Sequence, residues 1–381
     1  MLRVLHVTPG LESGGAEMML TKLVGAMNRA SFENVVISLT DEGPILGSKI
    51  RQQSVPLQTL DFPRGAPNPM LIHKLSSEIR RLKPSIVQTW MYHANVVGAL
   101  ACALAGHRRL VWGIHAAKID PDNMKRRTAQ TVYLGKRMSR RFPTRIVCCS
   151  DASRVAHAEL GYFASKLLTI NNGIDTDEFV GVPSEREAMR REWGIPVDAP
   201  VVGLVARYAK FKDHATFFRA AGLLHRRRPE THFVLYGGEI TRDNPALRSL
   251  VDEAGVRNVT LLQGLSDSIA RVNNGFDVAT SSSAFSESFC IALGEAMACG
   301  VPCVTTNLEG PAELVGDTGK VVPVGDAEAM ATAWEEMIDH SPVARADIAE
   351  RARRRIVDRF SLGASVNQYE ELYQSLSEGV F

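Results

Sequence analysis

Residues 277–305 read DVATSSSAFSESFCIALGEAMACGVPCVT. Two short strand-like runs, Asp277–Ser281 and Pro302–Thr305, bracket a helix that runs through Glu295. Strand, helix and strand in that order predict a crossover unit, because parallel strands need a long connection to return to the same edge. The same stretch carries chemistry. Glu287 and Glu295 stand eight residues apart, and Glu295 falls among apolar helix residues, where a carboxylate needs a partner. With the helix beginning near Phe289, Glu287 lies in the preceding loop, and the amides of 288–291 face outward as an anion site.

The pattern repeats on either side. Toward the N-terminus of this half, Val201–Val205, His232–Tyr236 and Val259–Gln263 read as strands, with helices at His214–Arg228 and Pro245–Gly255 between them. The first half runs the same way. Arg3–Thr8, Asn34–Leu39, Ser85–Gln88, Leu110–Gly113 and Arg145–Cys149 are predicted strands. Helices fall at Glu17–Arg29, Val96–Ala105 and from Asp151 onward. Continuously apolar strands separated by helices imply a parallel sheet covered on both faces. Between Asp175 and Asp198, Pro183, Gly194 and Pro196 interrupt regular structure, which predicts a linker near 180–198. The expectation is two doubly wound α/β domains that bind ligands outside the carboxyl ends of their strands.

Two strand-to-helix loops qualify as such ends. Pro9–Glu17 contains the adjacent glycines Gly14 and Gly15, which let backbone approach a ligand and aim helix-start N–H groups at an anion. It is not the G-x-G-x-x-G dinucleotide fingerprint, which argues against a dehydrogenase. Gly203–Asp213 places Arg207 and Lys212 after a strand, and a guanidinium with an ammonium there suits a diphosphate. Read alone, each is equally well a plain turn or a pair of solvated cations. Glu295, two turns into its helix, is placed to bond the vicinal hydroxyls of a ribose.

At 381 residues, 45% hydrophobic and 23% charged, the chain has the composition of a globular protein with two cores. Its longest apolar stretch, Val96–Gly106, is eleven residues, short of the ~20 that cross a bilayer. The N-terminus runs directly into strand sequence with no h-region, so a cytoplasmic location is expected. No two of the six cysteines have C-x-x-C spacing, and all lie in apolar surroundings, as buried thiols do. The net charge of +2 hides an asymmetry: residues 1–170 hold 23 Lys+Arg against 11 Asp+Glu (+12), and residues 171–381 hold 21 against 31 (−10). Residues 118–145 alone carry nine Lys/Arg and two Asp. Few aromatics accompany them, so no nucleic-acid module is read there. The segment reads instead as an amphipathic cationic surface for anionic lipid, with Met124, Val132, Leu134 and Met138 as apolar contacts.

The stretch from Ser286 to Val304 resembles the S-E-G-F-x(5)-E-A-M-A-x-G-x-P-V-V signature of family 4 glycosyltransferases, retaining enzymes of the GT-B fold. Gly14-Gly15-Ala16-Glu17 is similar to the family's N-terminal glycine loop, and Asn172-Gly173-Ile174-Asp175 to its N-G-I-D segment. Arg207 and Lys212 match its R-x(4)-K pair, and Gly319–Asp326 looks like its G-x-L-V-P-x-G-D stretch. The resemblance implies two Rossmann-like domains facing across a cleft. Residues 1–180 would bind acceptor and 181–360 the nucleotide sugar, with a helix in 361–381 crossing back to the first domain. It further implies Arg207 and Lys212 on the donor diphosphate, Glu295 on the ribose and backbone at Gly264-Leu265 on the base. Glu287, with the amides of Phe289, Cys290 and Ile291, would hold the transferred sugar. His115 fits the family's strand-end histidine that approaches that sugar, although alone it reads as a structural residue.

Ser288 stands where the pattern has glycine, Cys290 where it commonly has proline, and Asp213 where glycine is usual. The implied activity moves a hexose-type sugar from a nucleoside diphosphate, with retention and without metal or other cofactor. The acceptor would be a saccharide or lipid-linked saccharide in surface polysaccharide assembly, met on the inner face of the plasma membrane. An epimerase of the same shape and a non-catalytic nucleotide-sugar-binding protein are the alternatives. Asp120-Pro121-Asp122 and Asp175-Thr176-Asp177 are D-x-D triplets, but so short a motif arises by chance and neither is read as a metal site.

Overall fold

The computed structural model describes residues 1–12, 14–63, 68–116 and 126–379. The chain divides into two compact units: Met1–Gly173 with Leu362–Phe381, and Ile174–Ser361. The first holds β1 (Leu2–Thr8), β2 (Phe32–Ser38), β3 (Leu57–Thr59), β4 (Ile86–Trp90), β5 (Leu110–Ile114), β6 (Arg145–Cys148) and β7 (Leu167–Thr169). They pair in the order β3-β2-β1-β4-β5-β6-β7, all parallel. Side chains alternate between two buried faces. Val4, Val36, Ile86, Val111 and Val147 pack on one face, and Leu5, Val7, Ile37, Val87 and Trp112 on the other. This double burial is why the strands read as unbroken apolar runs.

The second unit repeats the plan with β8 (Val201–Val205), β9 (His232–Tyr236), β10 (Thr260–Leu262), β11 (Val278–Ser281), β12 (Cys303–Thr306) and β13 (Lys320–Val322). Their order is β10-β9-β8-β11-β12-β13, again parallel throughout. In both sheets the chain order reverses beside the first strand, between β1 and β4 and between β8 and β11. That reversal opens a crevice at the strands' carboxyl ends. Three strands escaped the sequence reading: β3, β7 and β13, each three residues long. So short a run shows no periodicity, and only pairing with a longer neighbour makes it a strand.

The expected linker is corrected. Residues Pro183–Trp193 form a helix with proline in its first turn and Gly194 ending it at φ 69°. Proline there lacks only an N–H that the first turn leaves unpaired, so it starts the helix instead of breaking it. This helix is tied down at Asp277. Arg186 and Arg190 bond its two carboxylate oxygens at 2.7 and 2.5 Å, and the Val201 amide adds a third bond at 2.8 Å. Arg190 is fully buried, so each charge there depends on the other.

The C-terminal helix, Leu362–Glu378, packs on the first unit. Tyr369 and Tyr373 are buried with Trp90 and Leu20, and Tyr373 donates to Gln88 Oε1 at 3.1 Å. All six cysteines are buried, and none forms a disulfide among the described residues.

The lipid-facing set read from residues 118–145 is also corrected. Val132 and Met138, on the helix Arg126–Ser139, are 0% and 8% exposed and belong to the core. The exposed apolar pair is Tyr133 and Leu134, on a helix that also exposes Arg126 and Arg137. Met124, Lys118 and Asp120-Pro121-Asp122 lie outside the described residues. The other triplet builds a turn. Asp175 Oδ1 accepts from the amides of Asp177 and Glu178 at 3.1 and 3.0 Å, so the carboxylate shapes its own backbone.

Candidate active site

The crevice between β8 and β11 is built from loops that grip one another. After β8, the Tyr208 amide donates to Gly238 O at 2.8 Å, and Lys210–Lys212 closes a single tight turn. Asp213 ends that turn in the left-handed region, at φ 45°. Its carboxylate then caps the helix His214–Arg227, accepting from the Thr216 amide and hydroxyl at 3.1 and 2.6 Å. Aspartate tolerates this backbone region and supplies the cap that glycine lacks, which accounts for its place here. From β11, Ser282 Oγ donates to Lys212 O and the Ala284 amide to Phe211 O, both at 2.8 Å.

These bonds bring Lys212 to Glu287. The ammonium donates to Glu287 Oε2, which also accepts from Ser283 Oγ at 3.0 Å. Burial works against the charge on Lys212, but the attraction of Glu287 and its hydrogen bond outweigh it, so the ammonium's pKa lies above its ordinary value. Arg207 is exposed at the end of the same loop.

The loop carrying Glu287 is bracketed by two left-handed residues, Ser286 at φ 62° and Cys290 at φ 58°. The helix therefore begins at Ile291, not near Phe289, and runs to Ala298. Leu293 and Gly294 N–H both bond Cys290 O, so the amides open at the helix start are those of Ile291 and Ala292. Proline is held near φ −65° and could not adopt the conformation of Cys290, so this position departs from the family pattern in backbone as well as in side chain. Phe289 turns its ring into the core against Phe360, with centroids 5.6 Å apart. Glu295 is 4% exposed in the helix interior.

β12 and the helix after it, Glu309–Val315, support this loop. Thr306 Oγ1 donates to Ser283 O at 2.6 Å. Gly310 faces the Ser288 carbonyl so closely that a Cβ on it would lie 2.1 Å from that oxygen. Gly237, after β9, is a second position only glycine fits: φ is 148° and a Cβ would meet Ala206 O at 2.1 Å. Its amide donates to Gly264 O, and Gly264 N–H in turn donates to Ile240 O, both at 2.7 Å. Leu265 stands 70% exposed beyond them.

On the first unit, Gly14 caps the helix Gly15–Ala26 with an extended φ of −135°, a conformation open to any residue. His115 follows β5. Its Nδ1 lies 3.1 Å from Asn172 Oδ1, and its ring stacks on Trp90 at 4.9 Å. Burial lowers its pKa to about 4, against the hydrogen bond to Asn172. The imidazole is therefore neutral at physiological pH, and with Nδ1–H given to Asn172 its Nε2 is an acceptor. Nε2 has no partner among the described residues.

Residues 13–178 match the model "Glycosyltransferase Family 4", and residues 199–340 match "Glycosyl transferases group 1". The chain belongs to the family 4 glycosyltransferases. This glycosyltransferase is 27% identical to the lipopolysaccharide core biosynthesis glycosyltransferase of Rhizobium meliloti, over 98% of this chain and 99% of that one. It is 23% identical to the UDP-Gal:alpha-D-GlcNAc-diphosphoundecaprenol alpha-1,3-galactosyltransferase of Escherichia coli, over 77% and 76% of the two chains. Its two-domain GT-B fold superposes on Anabaena HepE, solved with UDP and glucose. The TM-score is 0.86 at 22% identity, covering 98% of this chain and 100% of that one.

Within the glycosyltransferase, the structure gathers Lys212, Glu287, Cys290 and Ile291 at the β8/β11 crevice, with Arg207 on the same loop. Gly264 and Leu265 join through Gly237 at the end of β10. Gly14, Gly15 and His115 belong to the other unit. Four contributors escaped the sequence reading: Ser283, Thr306, Gly237 and Gly310. Only Gly237 had a local signal, the paired glycines directly after a strand. Asn172 belongs to the N-G-I-D segment, but its bond to His115 spans 57 residues and has no signature in the chain order.

Proposed function

We propose that this glycosyltransferase transfers a hexose-type sugar from a nucleoside diphosphate to a lipid-linked saccharide, with retention of anomeric configuration and without a metal ion. The observation that carries the reading is the pairing of Lys212 with Glu287 at the crevice beside an open helix start. Lys212, Arg207 and the amides of Ile291 and Ala292 supply positive potential for a departing diphosphate. With two cations and a helix start present, the diphosphate charge is met without a divalent ion. Glu295 serves the ribose. Gly264 has its N–H committed within the protein, so a base contact through N–H at that edge falls to Leu265.

The C1–O bond to the diphosphate breaks while the acceptor oxygen bonds C1 from the same face, and the acceptor's proton passes to the departing phosphate oxygen. Glu287 and Ser283 orient the sugar at C1. His115, neutral with a buried and unpartnered Nε2, is the first unit's candidate to accept a hydrogen bond from a sugar hydroxyl. The polysaccharide setting rests on the two bacterial relatives and on the +12 charge of residues 1–170.

The test is product analysis with UDP-glucose, UDP-galactose and UDP-N-acetylglucosamine, with and without an undecaprenyl-diphosphate-linked saccharide. Acceptor-dependent formation of an α-linked product from an α-configured donor supports the reading. An inverted product overturns retention. Isomerised sugar nucleotide without acceptor shows an epimerase, and binding without turnover shows a carrier.

A further inference from the structure

Both cations of the crevice lie over the ring of Phe211. Its ring centroid is 5.5 Å from the Arg207 guanidinium carbon and 5.2 Å from Lys212 Nζ, both inside the ~6 Å over which an aromatic face attracts a cation. Backbone bonds fix the residue from both sides. Phe211 lies in the single turn Lys210–Lys212, and its carbonyl accepts from the Ala284 amide at 2.8 Å. The ring itself is braced by Phe285, with centroids 6.3 Å apart and planes at 57°. Arg207 and Lys212 repel each other, and that repulsion works against the charge on Lys212. Glu287 offsets it for Lys212, whereas no carboxylate bond is seen for Arg207 among the described residues.

We infer that Phe211 is a positioning residue: its π face holds Arg207 and Lys212 together, so that a diphosphate meets both cations already arranged. The inference rests on the proposed diphosphate role of those two residues and adds a third side chain to it. An aliphatic residue of similar volume would fill the space yet leave two like charges to drift apart. Ordering them would then fall to the ligand and weaken its binding. Because the attraction comes from the ring's quadrupole, it depends on electron density at the face and not on shape alone.

The test uses the full-length protein and whichever of UDP, GDP and ADP binds the wild type most tightly, measured by calorimetry. Phe211→Leu should weaken that nucleotide by about 5- to 10-fold, and Phe211→Tyr should restore most of the loss. Replacing Phe211 with phenylalanines carrying one, two and three ring fluorines should lower affinity stepwise with little change in size. Equal binding across the fluorinated series, or a Phe211→Leu affinity matching wild type, would overturn the inference. Arg207→Ala and Lys212→Ala serve as references. If neither weakens the nucleotide, the diphosphate reading itself fails. If both weaken it while the fluorinated series stays flat, that reading stands and only the role of Phe211 is lost.

Discussion

Glu287 and Lys212 neutralise each other in the crevice, and this makes their substitutions unequal. Removing Glu287 takes away a group proposed to act on the transferred sugar but leaves Lys212 free to meet a diphosphate. Glu287→Ala should therefore lower turnover by ~100-fold or more, with UDP affinity equal to wild type or tighter. Lys212→Ala should weaken UDP and UDP-sugar together. Steady-state kinetics alongside calorimetry checks both. Wild-type turnover in Glu287→Ala would remove that carboxylate from the chemistry.

The loop from Ser286 to Cys290 is held by neighbours far along the chain, with two residues in the left-handed region. Such backbone persists only where its surroundings enforce it. Gly310 belongs to those surroundings. A methyl group there would lie 2.1 Å from Ser288 O, so Gly310→Ala must push the loop and move Glu287. The expected result is a fall in kcat of about 10-fold or more, with nucleotide affinity nearly unchanged because Lys212 is held from β8 and β11. Thr306→Val should act in the same direction by freeing Ser283 O, and Thr306→Ser should recover. A wild-type kcat in Gly310→Ala would show that the loop yields at no cost to the site.

Both units fold around buried neutral histidines, and this gives the molecule a pH limit. His6, His115 and His214 are each lowered to about 4, chiefly by burial, whereas an unfolded histidine titrates near ~6.5. Between those values the unfolded chain binds more protons than the folded one, so stability falls as pH drops. This contribution is fully present above pH ~6.5 and declines toward pH 4. Tm measured across this range should fall, and His214→Phe should flatten the dependence. An unchanged slope in that variant would remove His214 as a contributor.

The charge imbalance is the other property of the whole chain. Among the described residues no helix is long and apolar enough to cross a membrane. Any lipid contact through Tyr133, Leu134 and the exposed arginines of their helix would be peripheral and electrostatic. Binding to phosphatidylglycerol vesicles should weaken as salt rises and the Debye length shortens to ~8 Å at 0.15 M. Absence of binding at low salt would exclude the surface.

Much of this molecule is legible along the chain, because parallel strands buried on both faces are apolar runs and their helices carry the complementary spacing. The duplicated α/β plan, the two cation-bearing positions after β8 and the glutamate loop before Ile291 all follow from such local order. What the tertiary structure alone decided are relations between distant residues. The Lys212–Glu287 bond spans 75 positions, Gly310 makes room for Ser288, and Phe285 braces Phe211. Val132 and Met138 turn inward while Tyr133 and Leu134 face out. Chain order records which side chains are present. Which of them meet is set by how the sheets order their strands, and only folding brings those carboxyl ends together.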